Sequence, residues 1–196
     1  MEYAKILKKD PVMRALIKSH GYIPLSSKPN AIVQLYCAVV GQQLSTKAAA
    51  AIKKRFLDYY TKDPSPEQIL NTPVADLRTL GLSNAKATYI HNIATFTLDN
   101  KLTHQKLKKL PDNEIITLLT QIKGIGQWTV EMLLMFTLER ENVFPIDDLG
   151  IQKAMIQHYE ITETNKRILK KIMTEISESW HPYKTYASLH LWESLK

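Results

Sequence analysis

The stretch Leu119-Thr-Gln-Ile-Lys-Gly-Ile-Gly-Gln-Trp-Thr-Val-Glu-Met132 sets Gly-Ile-Gly between two segments whose apolar residues recur at helical spacing. Glycines at 124 and 126 allow positive φ and the close approach of another backbone. The turn runs directly into a helix N-terminus, where the first amides have no intrahelical acceptor and the positive end of the dipole points outward. Such a nest suits a phosphate, with Lys123 adding a charge, so Lys123, Gly124, Ile125, Gly126 and Gln127 are the expected phosphate contacts. Ile122 and Ile125 are expected to anchor the hairpin in a core. An isolated G-x-G reads more simply as a helix–helix turn with a glycine cap. The surrounding pattern, a basic chain and the downstream pair Asp147-Asp148 weigh against that simpler reading.

Outward from the hairpin, the punctuation consists of helix signals. Asp10-Pro11 opens a helix that Gly21 closes, Ser45 caps Thr46–Tyr60, and Ser83 caps Asn84–Leu98. Ser65-Pro66-Glu67 and Thr72-Pro73 start two short helices, and Leu110-Pro111-Asp112 introduces Asn113–Gln121. Further helices are expected near 127–138, 148–158, 163–178 and 182–194. No strand pair with hairpin-turn chemistry stands out. The expected fold is all-α: one helical domain over 1–196 with the hairpin motif at about 113–138. Its N- and C-terminal helices are free to pack as one lobe.

Composition narrows the function classes. A 44% hydrophobic and 23% charged chain can fold a core and is not disordered in character. The balance of 26 Lys+Arg against 19 Asp+Glu, a net charge of +7, suggests a polyanionic partner, of which nucleic acid is the commonest. One cysteine, Cys37, excludes a disulfide within the chain, a Cys-ligated zinc and an iron–sulfur cluster, and reads as a small buried hydrophobe. The histidines show no metal-ligand spacing. No apolar run approaches the ~18 residues of a membrane span, and MEYAKILKKD lacks a signal-peptide core. The expected location is therefore the cytoplasm, or the nucleus where one exists.

Residues 119–148 resemble the helix–hairpin–helix, Gly/Pro-rich loop and aspartate signature of the DNA glycosylase superfamily. The continuation Trp128-Thr-Val-Glu-Met and Val143-Phe-Pro-Ile-Asp-Asp148 resembles its alkylation-repair branch, the AlkA and yeast Mag-type enzymes (DNA-3-methyladenine glycosylase II). Gly41-Gln-Gln-Leu-Ser45 is similar to that branch's minor-groove segment, and Trp180-His-Pro-Tyr-Lys-Thr-Tyr-Ala-Ser-Leu-His-Leu-Trp192 to its C-terminal signature. The likeness covers about residues 30–192 and leaves no room for the β-rich N-terminal domain of bacterial AlkA enzymes. It implies a helix–hairpin–helix glycosylase fold with two helical lobes flanking a cleft. It also implies a monomer acting on double-stranded DNA with damaged bases, and no required cofactor.

The resemblance also assigns roles. Cleaving a bond between deoxyribose and base builds positive charge on the sugar, which a carboxylate stabilises while orienting water. Matching places that carboxylate at Asp148 and leaves Asp147 as a helix N-cap or loop-fixing acceptor, although the residues alone allow either to be a cap. Trp128 stands where bifunctional members carry a lysine, and it cannot form an imine, so hydrolysis without strand cleavage is implied. Electron-rich rings bind cationic alkylated purines, and Trp128 and Trp192 match the stacking positions, with Tyr36 or Tyr186 as additions. Trp192 reads equally well as a C-terminal core anchor. At Met132 and Leu149 bacterial relatives carry tyrosine, so the implied base pocket is less aromatic. Gln42, Gln43 and Leu44 match the wedge that fills the gap left by a flipped base, or else simply join two helices. Carbonyls of Thr120, Ile122 and Ile125 match a monovalent cation site for Na+ or K+. The implied function is a monofunctional glycosylase excising purines of the 3-methyladenine and 7-methylguanine type in base excision repair. The alternatives are a bifunctional glycosylase/lyase for another lesion and a non-catalytic helix–hairpin–helix DNA-binding protein.

Overall fold

A computed structural model describes residues 2–26, 28–61 and 63–196, and among these every regular element is helical. In chain order the helices are α1 (Glu2–Leu7), α2 (Pro11–His20), α3 (Ala31–Gly41), α4 (Thr46–Tyr59), α5 (Pro66–Asn71), α6 (Val74–Thr79) and α7 (Asn84–Asp99). There follow α8 (His104–Lys109), α9 (Asp112–Leu119), α10 (Gln127–Phe136), α11 (Leu149–His158), α12 (Lys166–Glu178) and α13 (Lys184–Glu193). The chain forms two compact units: residues 28–133, and residues 1–27 together with 134–196. No helix of the described residues is long and apolar enough to cross a membrane.

The contiguous unit is built around α3, whose Ala31, Ile32, Val33, Leu35, Tyr36, Cys37, Val39 and Val40 are all buried. A helix apolar all round belongs in an interior and has no one-sided stripe, which is why helical periodicity did not mark it in the sequence. Its start is capped by Asn30, a left-handed residue at φ 61 whose side chain accepts from the Val33 amide. Around it Phe56, Ile69, Leu77, Ile90, Ile93, Leu107 and Ile115 are fully buried. Ser45, Ser65 and Ser83 each accept the backbone N–H three residues on and so fix the starts of α4, α5 and α7. Thr72 departs from expectation. Its hydroxyl donates to the Gln68 carbonyl and accepts from Tyr60, while Pro73 occupies the cap of α6. The run Lys106-Leu-Lys-Lys109 lies in helix α8, opened by Thr103.

The second unit is assembled from both ends of the chain. Its core gathers Tyr3, Leu7, Met13, Leu16 and Ile17 with Ile151, Met155, Leu169, Met173, Trp180, Ala187 and Leu191. Trp180 is fully buried, with Phe144 edge-on to it at 5.6 Å. Asp10 ties this core to the first turn of α2. Its Oδ1 accepts the amides of Val12 and Met13, and its Oδ2 accepts from Tyr159 Oη at 2.7 Å and Trp180 Nε1 at 3.0 Å. Tyr3 stacks on Tyr186 with centroids 4.2 Å apart and planes 5° from parallel.

Candidate active site

Within residues 28–133, the hairpin joins α9 to α10. Ile122 and Ile125 are buried, which seats the turn on the core, while Lys123, Gly126 and Gln127 are exposed. Gly124 has φ 106, and a methyl group there would lie 2.3 Å from the Tyr89 ring, so both its conformation and its surroundings demand glycine. Gly126 is different: it is not at positive φ, and a methyl group there would meet nothing within 4 Å. Its value is a bare, open face where the first amides of α10 emerge. Ile125 was expected to donate its amide to phosphate. It donates instead inside the turn, to the Ile122 carbonyl at 3.0 Å. The Gln127 side chain is turned along its own helix, donating to Glu131 Oε1 at 2.9 Å.

The Gly41–Ser45 segment lies in the same unit, between α3 and α4. Gln43 is exposed in the left-handed region at φ 54, and Leu44 is 38% exposed. Gln42 does not share that exposure. Its Nε2 donates to the Gly124 carbonyl at 3.1 Å, which spends its amide on the hairpin and removes it from the expected wedge. Two further side chains from α7 join this arrangement, and sequence reasoning missed both. Lys86 Nζ donates to the carbonyls of Val40 at 3.0 Å and Gln42 at 2.7 Å, and Asn92 Nδ2 donates to the Lys123 carbonyl at 3.3 Å. Burial lowers the Lys86 pKa below the usual lysine value.

In the other unit, the loop after α10 delivers Asp148 to the start of α11. Thr185 pins that loop: its hydroxyl donates to the Arg140 carbonyl at 2.6 Å and accepts the Val143 amide at 3.0 Å. Gln152 Nε2 donates to the Ile146 carbonyl at 2.7 Å. Asp148 is itself the N-cap of α11; its Oδ1 accepts the Ile151 amide at 2.9 Å and Trp192 Nε1 at 2.8 Å. Of the two roles expected for Asp147, helix N-cap or loop-fixing acceptor, the structure removes the first, because the cap is Asp148, and agrees with the second. Asp147 caps no helix; it is ion-paired to Lys170 on α12. Trp192 is half-buried, stacked against Phe136 with centroids 5.9 Å apart. Gly150, another residue without a sequence-level signal, leaves room for this bond. A methyl group there would lie 3.0 Å from Asp148 Oδ1 and 3.1 Å from Trp192 Cδ1.

The remaining candidates separate by burial. Trp128 is 45% exposed and Leu149 79% exposed, whereas Met132 is half-buried. Tyr36 is fully buried beneath Phe56, with centroids 6.3 Å apart, and burial raises its phenol pKa. That places it in the core and out of reach of a base. Tyr186 is likewise a core ring, stacked under Tyr3 and donating to Glu141. Among the described residues no group of three or more His, Cys, Asp or Glu is placed to hold a metal. Several surface cations are engaged locally: Lys54 with Asp58, Lys171 with Glu175, and Arg55 with the Leu80 carbonyl.

Residues 36–182, which contain the α3–α4 tip, the hairpin and Asp148, match the HhH-GPD superfamily of base excision DNA repair proteins. The chain belongs to that superfamily. A Schizosaccharomyces pombe relative named DNA-3-methyladenine glycosylase 1 is 38% identical over 168 residues, covering 83% of this chain and 72% of its own. Among HhH-GPD structures, the 3-methyladenine DNA glycosylase of that yeast in complex with abasic DNA superposes with a TM-score of 0.87. It is 34% identical, and the match covers 98% of this chain and 96% of that one. A Bacillus halodurans DNA-3-methyladenine glycosidase gives a TM-score of 0.85 at 34% identity, covering 96% and 86%. Some relatives are longer. The Bacillus subtilis protein YfjP is 32% identical over 191 residues, 94% of this chain, and the chain spans 66% of it.

Proposed function

We propose that this chain is a monofunctional DNA glycosylase that flips alkylated purines of the 3-methyladenine and 7-methylguanine type out of duplex DNA and hydrolyses their glycosidic bond. The observation that carries the reading is the doubly held carboxylate of Asp148, which accepts from the Ile151 amide and the Trp192 indole in a chain of a base excision family. As the bond from C1′ to the base nitrogen breaks, the base takes the electron pair and leaves neutral, and positive charge passes to the sugar. Asp148 stabilises that charge; water adds its oxygen to C1′ and passes a proton to the Asp148 carboxylate, which returns it to solvent. Trp128 offers no amine, so no Schiff base forms and the strand stays intact. The ring faces of Trp128 and Trp192 attract a cationic base more than its neutral parent. The open amides at Gly126 and Gln127, with Lys123, hold a phosphate, and Gln43 and Leu44 fill the gap left in the stack.

The protein works on this reading as a monomer on chromosomal DNA, in the nucleoid or nucleus, without a required cofactor. The carbonyls of Thr120, Ile122 and Ile125 would hold Na+ or K+; the Ile122 oxygen keeps a second lone pair beside its bond from the Ile125 amide. Such an ion would supply positive charge near the phosphate.

The test is chromatography of bases freed from methylated DNA. Wild type is expected to release 3-methyladenine and 7-methylguanine without nicking the strand, and Asp148→Asn to release none while still binding DNA. Release undiminished in Asp148→Asn, or a covalent adduct trapped by borohydride, would overturn the reading.

A further inference from the structure

The geometry points to Lys86 as a positioning residue that holds the Gln43–Leu44 tip in register with the phosphate-binding hairpin. The inference rests on the proposed base-flipping reading and adds to it a coupling element on α7. A helix leaves its last carbonyls without intrahelical donors and carries partial negative charge at that end. The Lys86 ammonium satisfies two such carbonyls at the end of α3, those of Val40 and Gln42. A lysine doing only this would be an ordinary cap. Here the capped residue reaches on, because the Gln42 side chain donates to the Gly124 carbonyl. The same ridge of α7 carries Tyr89, whose ring fills the space a Gly124 side chain would need, and Asn92, which donates to the Lys123 carbonyl. Residues 86, 89 and 92 thus hold both ends of one connection, from the tip to the hairpin.

Flipping a base requires a filler to enter the stack while the backbone is held, so an error in the separation of tip and hairpin falls on the flipping step. Lys86 spends two of its three donors on backbone carbonyls, so the role assigned to it is to hold the tip, and the salt dependence of binding separates that role from a phosphate contact.

The experiment compares wild type with Lys86→Met, which keeps the length of the side chain and removes its donors. Single-turnover release is measured from an oligonucleotide duplex carrying one 7-methylguanine, opposite either cytosine or an abasic site. Binding to abasic duplex is followed against salt. Opposite cytosine the variant is expected to lose about tenfold to a hundredfold in rate, the scale of a small misplacement. Opposite the abasic site, where no base pair must be broken, most of that loss is expected to disappear. The salt dependence of binding should stay parallel to wild type. Gln42→Ala, which cuts the link at its other end, should show the same pattern and serves if Lys86→Met does not fold. Equal losses on the two duplexes, no loss on either, or a salt slope reduced by about one, the mark of a lost phosphate contact, would each overturn the assignment. Failure of wild type to release any base would instead remove the glycosylase reading beneath it, and is told apart by appearing without any mutation.

Discussion

Gly150 has no catalytic chemistry, yet it guards the proposed site. Its missing side chain is what lets the Trp192 indole reach Asp148 Oδ1. Gly150→Ala is expected to push that indole away and slow base release by about tenfold to a hundredfold. The DNA affinity should be unchanged, since no phosphate contact is touched; single-turnover rates and binding isotherms check this. Gly124→Ala should show the opposite signature. A side chain at φ 106 against Tyr89 distorts the hairpin, so DNA binding weakens before chemistry does. Of these glycines, only 124 and 126 carry a signal in the sequence, because the hairpin is written in consecutive residues. Gly150, Lys86 and Asn92 matter through partners far along the chain, which no local pattern records.

Helix α11 begins on the residue proposed to do the chemistry, so cap and carboxylate can be separated by mutation. Asparagine caps a helix about as well as aspartate, and alanine does not, at a cost of about 1 kcal/mol. Asp148→Asn is therefore expected to melt near wild type while releasing no base. Asp148→Ala should lose activity and also melt lower, by roughly 2–4 °C for a chain of this size. Equal melting of the two variants would mean that the bond from the Ile151 amide contributes nothing. Helix starts were legible at the caps Asp10, Ser45, Ser65 and Ser83, but not at Thr103, which opens the short helix α8. The all-α class followed from them. Helix α1 has no comparable signal, α3 is apolar on every side, and Asn30 caps it from an unusual backbone conformation. The pair Asp147-Asp148 illustrates the limit: two like residues at one helix start are resolved by Lys170, which sits on another helix.

Across the molecule, the unit built from both chain ends depends on buried polar contacts. Asp10→Ala removes a helix cap and leaves the indole N–H of buried Trp180 without its acceptor, so a loss of about 2–4 kcal/mol is expected in urea denaturation. Acid should act on the same unit through His190. This ring is fully buried, stacked at 5.6 Å on His20, with Tyr3 and Glu193 nearby. Burial, then the neighbouring His20, pushes its pKa down from 6.5 to about 4. The unfolded chain then binds a proton at a pH where the folded one does not. The contribution is complete above about pH 6.5, falls as pH drops from there to about 4, and changes no further below. His190→Leu should flatten the urea midpoint across that window; an unchanged slope would sink the idea.

The division of the chain also has a meaning in time. A ribosome delivers residues 1–27 before residues 28–133, but their packing partners belong to residues 134–196. Residues 28–133 are contiguous and are free to condense as they emerge, while Tyr3, Leu7, Met13, Leu16 and Ile17 wait uncovered until residues 134–196 have been made. A growing chain thus carries an uncovered apolar segment ahead of its contiguous unit, and any shielding by chaperones is needed there until residues 134–196 arrive.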